Sequence, residues 1–117
     1  MGCLCYVGRT RWDSAPGTLD MLILKTLARS KEMHGFEIAE SIQQTSEDVL
    51  RVEEGSLYPA LQRMLIQGWI KGEWGKTEEN RRARYYRLTA DGRKHLESEM
   101  RRYERVATAI ARILQPV

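Results

Sequence analysis

Little in this sequence could staple a fold or anchor it to a membrane. Of 117 residues only two are cysteines, Cys3 and Cys5, and they stand one residue apart. Such a pair closes no useful loop, so a disulfide framework is excluded. No long apolar run exists either: Met21-Leu22-Ile23-Leu24 is stopped by Lys25, far short of the roughly 20 apolar residues that span a bilayer. No membrane partner is expected, and with no secretory pattern at the start a reducing, cytoplasmic setting is the natural one. Also missing are a Ser/His/Asp or Cys/His grouping in a plausible context, a Gly-rich phosphate motif, and carboxylates at ligand spacing around His34 or His95. These absences argue against an enzyme, and no cofactor is expected.

What is present is a balanced, single-domain composition. Charged residues make up 30% and hydrophobic ones 42%, the proportions of a folded globular chain. A chain of this length buries roughly two-thirds of its unfolded surface, enough for a core without metal or disulfide support. Lys and Arg number 19 against 16 Asp and Glu, a formal net charge of +3. The excess is concentrated: residues 71–105 hold eleven basic and seven acidic side chains, a net of +4. Arg81, Arg82, Arg84 and Arg87 fall within seven residues that contain no acid. A single-sign cluster of this kind is usually aimed at an anion. The plainer alternative is a salt-bridged surface strand served by Glu78 and Glu79.

Residues 1–16 lack sustained periodicity and end at Pro16-Gly17, which reads as a flexible leader. Met1-Gly2-Cys3 hints at acylation, but Tyr6 stands where the myristoylation pattern needs Ser or Thr. From Thr18, a candidate N-cap, Leu19, Leu22, Ile23, Thr26 and Leu27 form a helical stripe that Met21 and Leu24 widen. A helix so apolar around its circumference belongs at the domain centre or against a second subunit. After His34-Gly35, where His34 helps shape the turn, Phe36, Ile38, Ala39 and Ile42 carry a second helix to about Gln44. A third follows Gly55, with Ser56 as its cap and Pro59 tolerated in the first turn. Its Leu57, Leu61, Met64 and Leu65 face the core, while Ser56, Pro59, Gln62, Arg63 and Gln67, with Tyr58 beside them, make a polar face free of acids. That face suits a nucleic-acid groove, and it equally suits water, since Gln and Arg are good surface helix formers.

Gly68 ends the third helix. Trp69 to Trp74 then alternates with the period of a strand, Gly75 to Asn80 turns the chain, and Ala83 to Leu88 returns with Tyr86 and Leu88 on one face. Thr89 caps a last helix in which Leu96, Met100, Tyr103, Ala107, Ile110 and Leu114 are spaced as a heptad seam. Three helices and a hairpin do not easily cover a helix of about 25 residues. The seam is therefore expected to meet the same helix of a second subunit in a homodimer, the alternative being a helix folded back over the first one. The resulting organisation is a leader over 1–16, a winged helix-turn-helix over 17–89 and a dimerisation helix over 90–117, mainly α with a small β-hairpin. In that arrangement the third helix enters the DNA major groove and the arginine hairpin, the wing, reaches phosphates or the minor groove.

Three segments resemble PadR-type transcriptional regulators: Leu22-Ile23-Leu24 through His34-Gly35-Phe36-Glu37-Ile38, Gly55-Ser56-Leu57-Tyr58-Pro59-Ala60-Leu61, and Arg81-Arg82-Ala83-Arg84-Tyr85-Tyr86-Arg87-Leu88-Thr89-Ala90-Asp91-Gly92. The resemblance runs from about Gly17 to Leu114. It implies a winged-helix domain, a C-terminal dimerisation helix of the smaller subgroup, and repression of a nearby promoter relieved by a small molecule. It places Ser56, Tyr58, Arg81, Arg82 and Arg84 at or near double-stranded DNA, and helical geometry adds Gln62 and Arg63. One departure is Leu65, where members commonly carry an acid. Losing it removes an ion-pair partner for an arginine and adds apolar surface. Inducers of some members lie between the dimer's helices, where this chain offers Met21, Met100 and Tyr103, although a stripe of that kind is more often core. Two other functions stay open: a metal-responsive repressor using the thiolates of Cys3 and Cys5, and a dimeric protein-interaction module.

Overall fold

The computed structural model describes residues 18–116. The leader, with Cys3 and Cys5, lies outside them. The elements follow in the order α1 (Thr18–Ala28), β1 (Met33–His34), α2 (Gly35–Thr45), α3 (Glu54–Gln67), β2 (Ile70–Lys76), β3 (Arg82–Leu88) and α4 (Ala90–Leu114). Three helices, a β-hairpin and a long final helix make this a winged helix-turn-helix with a C-terminal helical extension.

Helix α1 is the centre of the core. Ile23, Leu24 and Leu27 are almost completely buried, with Leu19 and Met21 close behind. The helix touches α2, α3, α4 and β3, so its wide apolar surface is answered from several sides within one chain. The expected stripe turns slightly. Leu22 and Thr26 are only half-buried, and the Thr26 hydroxyl donates to the Leu22 carbonyl at 2.7 Å. Ile38 and Ile42 of α2, Leu57, Ala60, Leu61 and Met64 of α3, Ile70, Tyr86 and Leu96 complete the core. Leu65 packs half-buried at its edge.

Three local expectations need correcting. Phe36 is not part of the core but 67% exposed. It sits two residues before Ile38, and at 100° per residue that turns it to nearly the opposite side of the helix. Helix α3 starts at Glu54, with Glu53 at the N-cap position and no side-chain cap. Ser56 is therefore inside the first turn, its N–H donating to the Glu53 carbonyl at 3.0 Å beside that of Leu57 at 2.9 Å. Pro59 then lies past the first turn and leaves the Gly55 carbonyl without its helical donor. Gly55 is exposed, so water can take that place. Finally, the hairpin is not alone: Met33 and His34 pair with Tyr86 and Tyr85, giving a three-stranded antiparallel sheet in the order β1-β3-β2. A two-residue strand has no period to read.

The wing itself is β2 paired with β3 in register from Ile70 opposite Leu88 to Lys76 opposite Arg82. The strand runs two residues further than its alternation indicated. Thr77 to Arg81 closes the tip, with Asn80 at φ 64°, a left-handed position that asparagine tolerates well. At the base of the wing one hydroxyl joins two helices. Thr89 Oγ1 donates to the Gly68 carbonyl at 2.7 Å and accepts from the Gly92 N–H at 3.0 Å, so it caps α4 and ties it to the end of α3. Trp69 stacks on His95 with ring centroids 3.7 Å apart, closing the same junction.

Beyond this junction α4 leaves the core. Its 25 residues span about 37 Å. Leu96 is buried and Met100 half-buried, but Tyr103, Val106, Ile110, Ile113 and Leu114 are all half or more exposed. The expected dimer seam is therefore shorter than its spacing indicated: Leu96 belongs to this chain's own core and Met100 packs against it, where α4 meets α1, while from Tyr103 onward nothing among the described residues covers the helix.

Candidate nucleic-acid interface

Helix α3 turns Leu57, Ala60, Leu61 and Met64 inward, so Gly55, Pro59, Gln62 and Ile66 lead its outer face. Gln62 is exposed there and Ser56 half-buried at its flank. Ile66 is an apolar residue in the middle of that face, 77% exposed. Tyr58 borders it on the side of α2. Its ring lies against Gly35, where a Cβ would stand 2.9 Å from the phenolic oxygen. Glycine at the start of α2 is thus what lets the phenolic end of the ring come so close, and Tyr58 as a whole stays 45% exposed. Arg63 is anchored: its guanidinium donates to Asp20 Oδ1 of α1 at 2.9 Å, across 43 residues of sequence. The carboxylate is largely buried and the guanidinium largely exposed.

The wing presents the remaining cations. Arg81 and Arg82 are exposed and Arg84 is half-buried. Among the described residues no carboxylate lies within 4.0 Å of any of the three, whereas Arg87 pairs loosely with Glu73 at 3.9 Å. The salt-bridged alternative is thus not formed as expected: neither Glu78 nor Glu79 pairs with any of the four arginines, and the one carboxylate engaged, by Arg87, is Glu73. Strand alternation sends Trp74, Arg82, Arg84 and the buried Tyr86 to one face, while Tyr85 lies on the other, its hydroxyl donating to the Lys76 carbonyl at 3.1 Å. The Tyr86 hydroxyl is held above the ordinary tyrosine value of 10.0 by burial, which the nearby Arg84 partly offsets.

Between the wing and the start of α2 lies a cleft of about 920 Å³. Phe36, Tyr58, Trp74, Arg81, Arg82 and Arg84 are among its lining residues. The fold therefore brings Tyr58 together with the three wing arginines around one opening, which Glu37, Glu40, Glu78 and Glu79 also line, whereas Gln62 and Arg63 lie outside it. Met21, Met100 and Tyr103 are also outside it. Met21 is in the core and Tyr103 is exposed. Sequence reasoning missed Asp20 as the anchor of Arg63, because nothing local links them. It also left Trp74 without a role, although strand parity already put it beside Arg84. Among the described residues no group of His, Cys, Asp and Glu could hold a metal ion.

A three-helix core, a helix with an accessible polar face and an arginine-bearing wing define the winged-helix class of nucleic-acid-binding proteins. Comparison with known proteins agrees. The model of the transcriptional regulator PadR-like family matches residues 23–98, and the chain belongs to that family: it is a transcriptional regulator, not an enzyme. A solved transcriptional regulator from Clostridium thermocellum is 27% identical with a TM-score of 0.78, over 88% of this chain and 99% of that one. A PadR family transcription regulator from Clostridium difficile is 30% identical with a TM-score of 0.70, over 85% and 100%. An uncharacterized protein from Lysinibacillus sphaericus is 28% identical over 100 residues, 86% of this chain and 91% of its own length.

Proposed function

We propose that this regulator is a homodimeric repressor of a nearby promoter, released from a pseudo-palindromic operator by a small-molecule effector. The observation that carries the DNA reading is the set of wing arginines without carboxylate partners, facing one opening with Tyr58. Arg81, Arg82 and Arg84 grip phosphates or the adjoining minor groove, where a planar guanidinium offers paired donors. Ser56, Tyr58, Gln62 and Arg63 lie at the groove, with Gln62 best placed to meet base edges. Arg63 acts from the flank of α3 while tethered to Asp20.

The dimer reading rests on α4. From Tyr103 onward the seam is an apolar stripe along the part of the helix that leaves the core, with Tyr103, Ile110 and Leu114 exposed and Ala107 half-buried. Pairing this stripe between two copies hides it and sets two recognition helices about a two-fold axis. The operator half-sites are then about one or two helical turns apart. On this reading residues 17–89 bind DNA and residues 90–117 dimerise. We place the effector in apolar space at the dimer's helices, beside Met21, Met100 and Tyr103.

Fluorescence anisotropy with the duplex upstream of the protein's own gene, against a scrambled duplex across a salt series, tests the proposal. Selective binding that survives near-physiological salt supports it, and equal, salt-labile binding to both duplexes refutes it. Footprinting tests the dimer separately, since a protected region without two-fold symmetry rejects a two-fold complex.

A further inference from the structure

Trp74 is a large apolar side chain, 61% exposed, on a wing that does not need it for its core. Its place explains what it does. It stands directly opposite Arg84 in the strand register, with Arg82 two residues nearer the tip on the same face. The Arg82 guanidinium carbon lies 4.4 Å from the centre of the Trp74 ring, and that of Arg84 lies 6.0 Å away. Neither arginine has a carboxylate within ion-pair distance among the described residues. Indole is the ring that attracts a cation most strongly. A guanidinium held over a ring face keeps the N–H donors at its edge free, and it has already lost much of the rotamer freedom that binding would otherwise remove.

We propose that Trp74 is a positioning residue of the DNA-binding wing, holding Arg82 extended and pre-organised for a phosphate. This rests on the reading that the wing arginines contact DNA. Arg84 is the lesser beneficiary. It is packed over Gly72, where a Cβ would stand 2.5 Å from Arg84 Nε, and it reaches toward Tyr86 at 6.0 Å.

The test is anisotropy on a fluorescein-labelled, mixed-sequence duplex at one low salt concentration. It compares the full-length wild type with Trp74→Leu, Trp74→Phe, Arg82→Ala and the Trp74→Leu/Arg82→Ala double variant. Trp74→Leu is expected to weaken binding about 2- to 5-fold, the range of an exposed cation–π contact. Trp74→Phe, which keeps a π face, should recover most of that, and Trp74→Leu should cost nothing further once Arg82 is alanine. Thermal unfolding of Trp74→Leu should fall only slightly below wild type, because the ring is exposed and the fold loses no more than the cation–π contact. Additive losses in the double variant, or equal losses with Leu and Phe, overturn the positioning role while leaving the wing reading intact. No loss in Arg82→Ala overturns the wing reading itself, and the inference falls with it.

Discussion

Gly92 makes the sharpest stability prediction. It occupies the first turn of α4, and in an open helix position Gly→Ala would gain about 0.5–1 kcal/mol. Here a Cβ would run into the Trp69 carbonyl oxygen, with the Trp69 carbonyl carbon and Leu88 Cδ1 each at 2.9 Å. The obstacle is backbone, so no rotamer change relieves it. Overpacking of this kind typically costs about 1–3 kcal/mol. The same Trp69 carbonyl also accepts the Thr89 N–H at 3.0 Å, and weakening that bond adds about 1 kcal/mol. Setting the helix-propensity gain against these terms leaves Gly92→Ala less stable by about 2 kcal/mol. Gly55→Ala is the control: nothing lies within 4 Å of a Cβ there, and a gain of about 0.5–1 kcal/mol is expected. Urea unfolding followed by far-UV circular dichroism, at one protein concentration so that association does not shift the midpoint, measures both. Opposite signs are expected, and a Gly92→Ala variant as stable as wild type would refute the close approach of α4 to Trp69.

Replacing Ile110 by Asp puts a charge in the exposed stripe of α4; sedimentation should show monomers, and an unchanged dimer would place the contact elsewhere. Asp20→Asn should weaken the tether on Arg63 at a stability cost of about 0.5–1 kcal/mol. If Arg63 meets DNA the variant should alter duplex affinity, whereas unchanged affinity would confine the arginine to a structural role. Burial raises the Tyr86 hydroxyl above its ordinary 10.0, so the folded state holds that proton more tightly than the unfolded chain. The associated stability is complete below about pH 10 and is lost as pH rises through the higher folded value. Tyr86→Phe should therefore lose less stability than wild type as the pH is raised above about 10, and equal losses in chemical denaturation would refute this coupling.

Elements with a strong local period were legible along the chain. Leu57, Leu61 and Met64 mark the inner face of α3 through spacing alone, because a helix repeats its faces every three to four residues whatever surrounds it. Thr89 is readable as a cap for a similar reason, since its partner Gly92 is three residues away. The alternation of Tyr86 and Leu88 against Tyr85 and Arg87 likewise survives in the wing. Where the deciding partner is distant, local reading fails. Met33 and His34 become a strand only because β3 offers them a free edge. Ser56 loses its capping position because the chain enters α3 earlier, and Phe36 points outward because α2 packs through Ile38 and Ile42.

The candidate site divides along the same line. Its charge was in the sequence: four arginines within seven residues, with no acid among them, indicate either a surface aimed at an anion or a salt-bridged strand before any fold is known. The motif around Tyr58 and Pro59 likewise carried the family. Which arginines are free was a tertiary matter. Arg63 is tethered by a carboxylate 43 residues away, Arg87 by a cross-strand glutamate, and Arg82 rests on an indole from the facing strand. Composition and period are properties of neighbours along a chain. Pairing, exposure and presentation depend on which distant segments packing brings within a few ångströms, and only the folded molecule decides that.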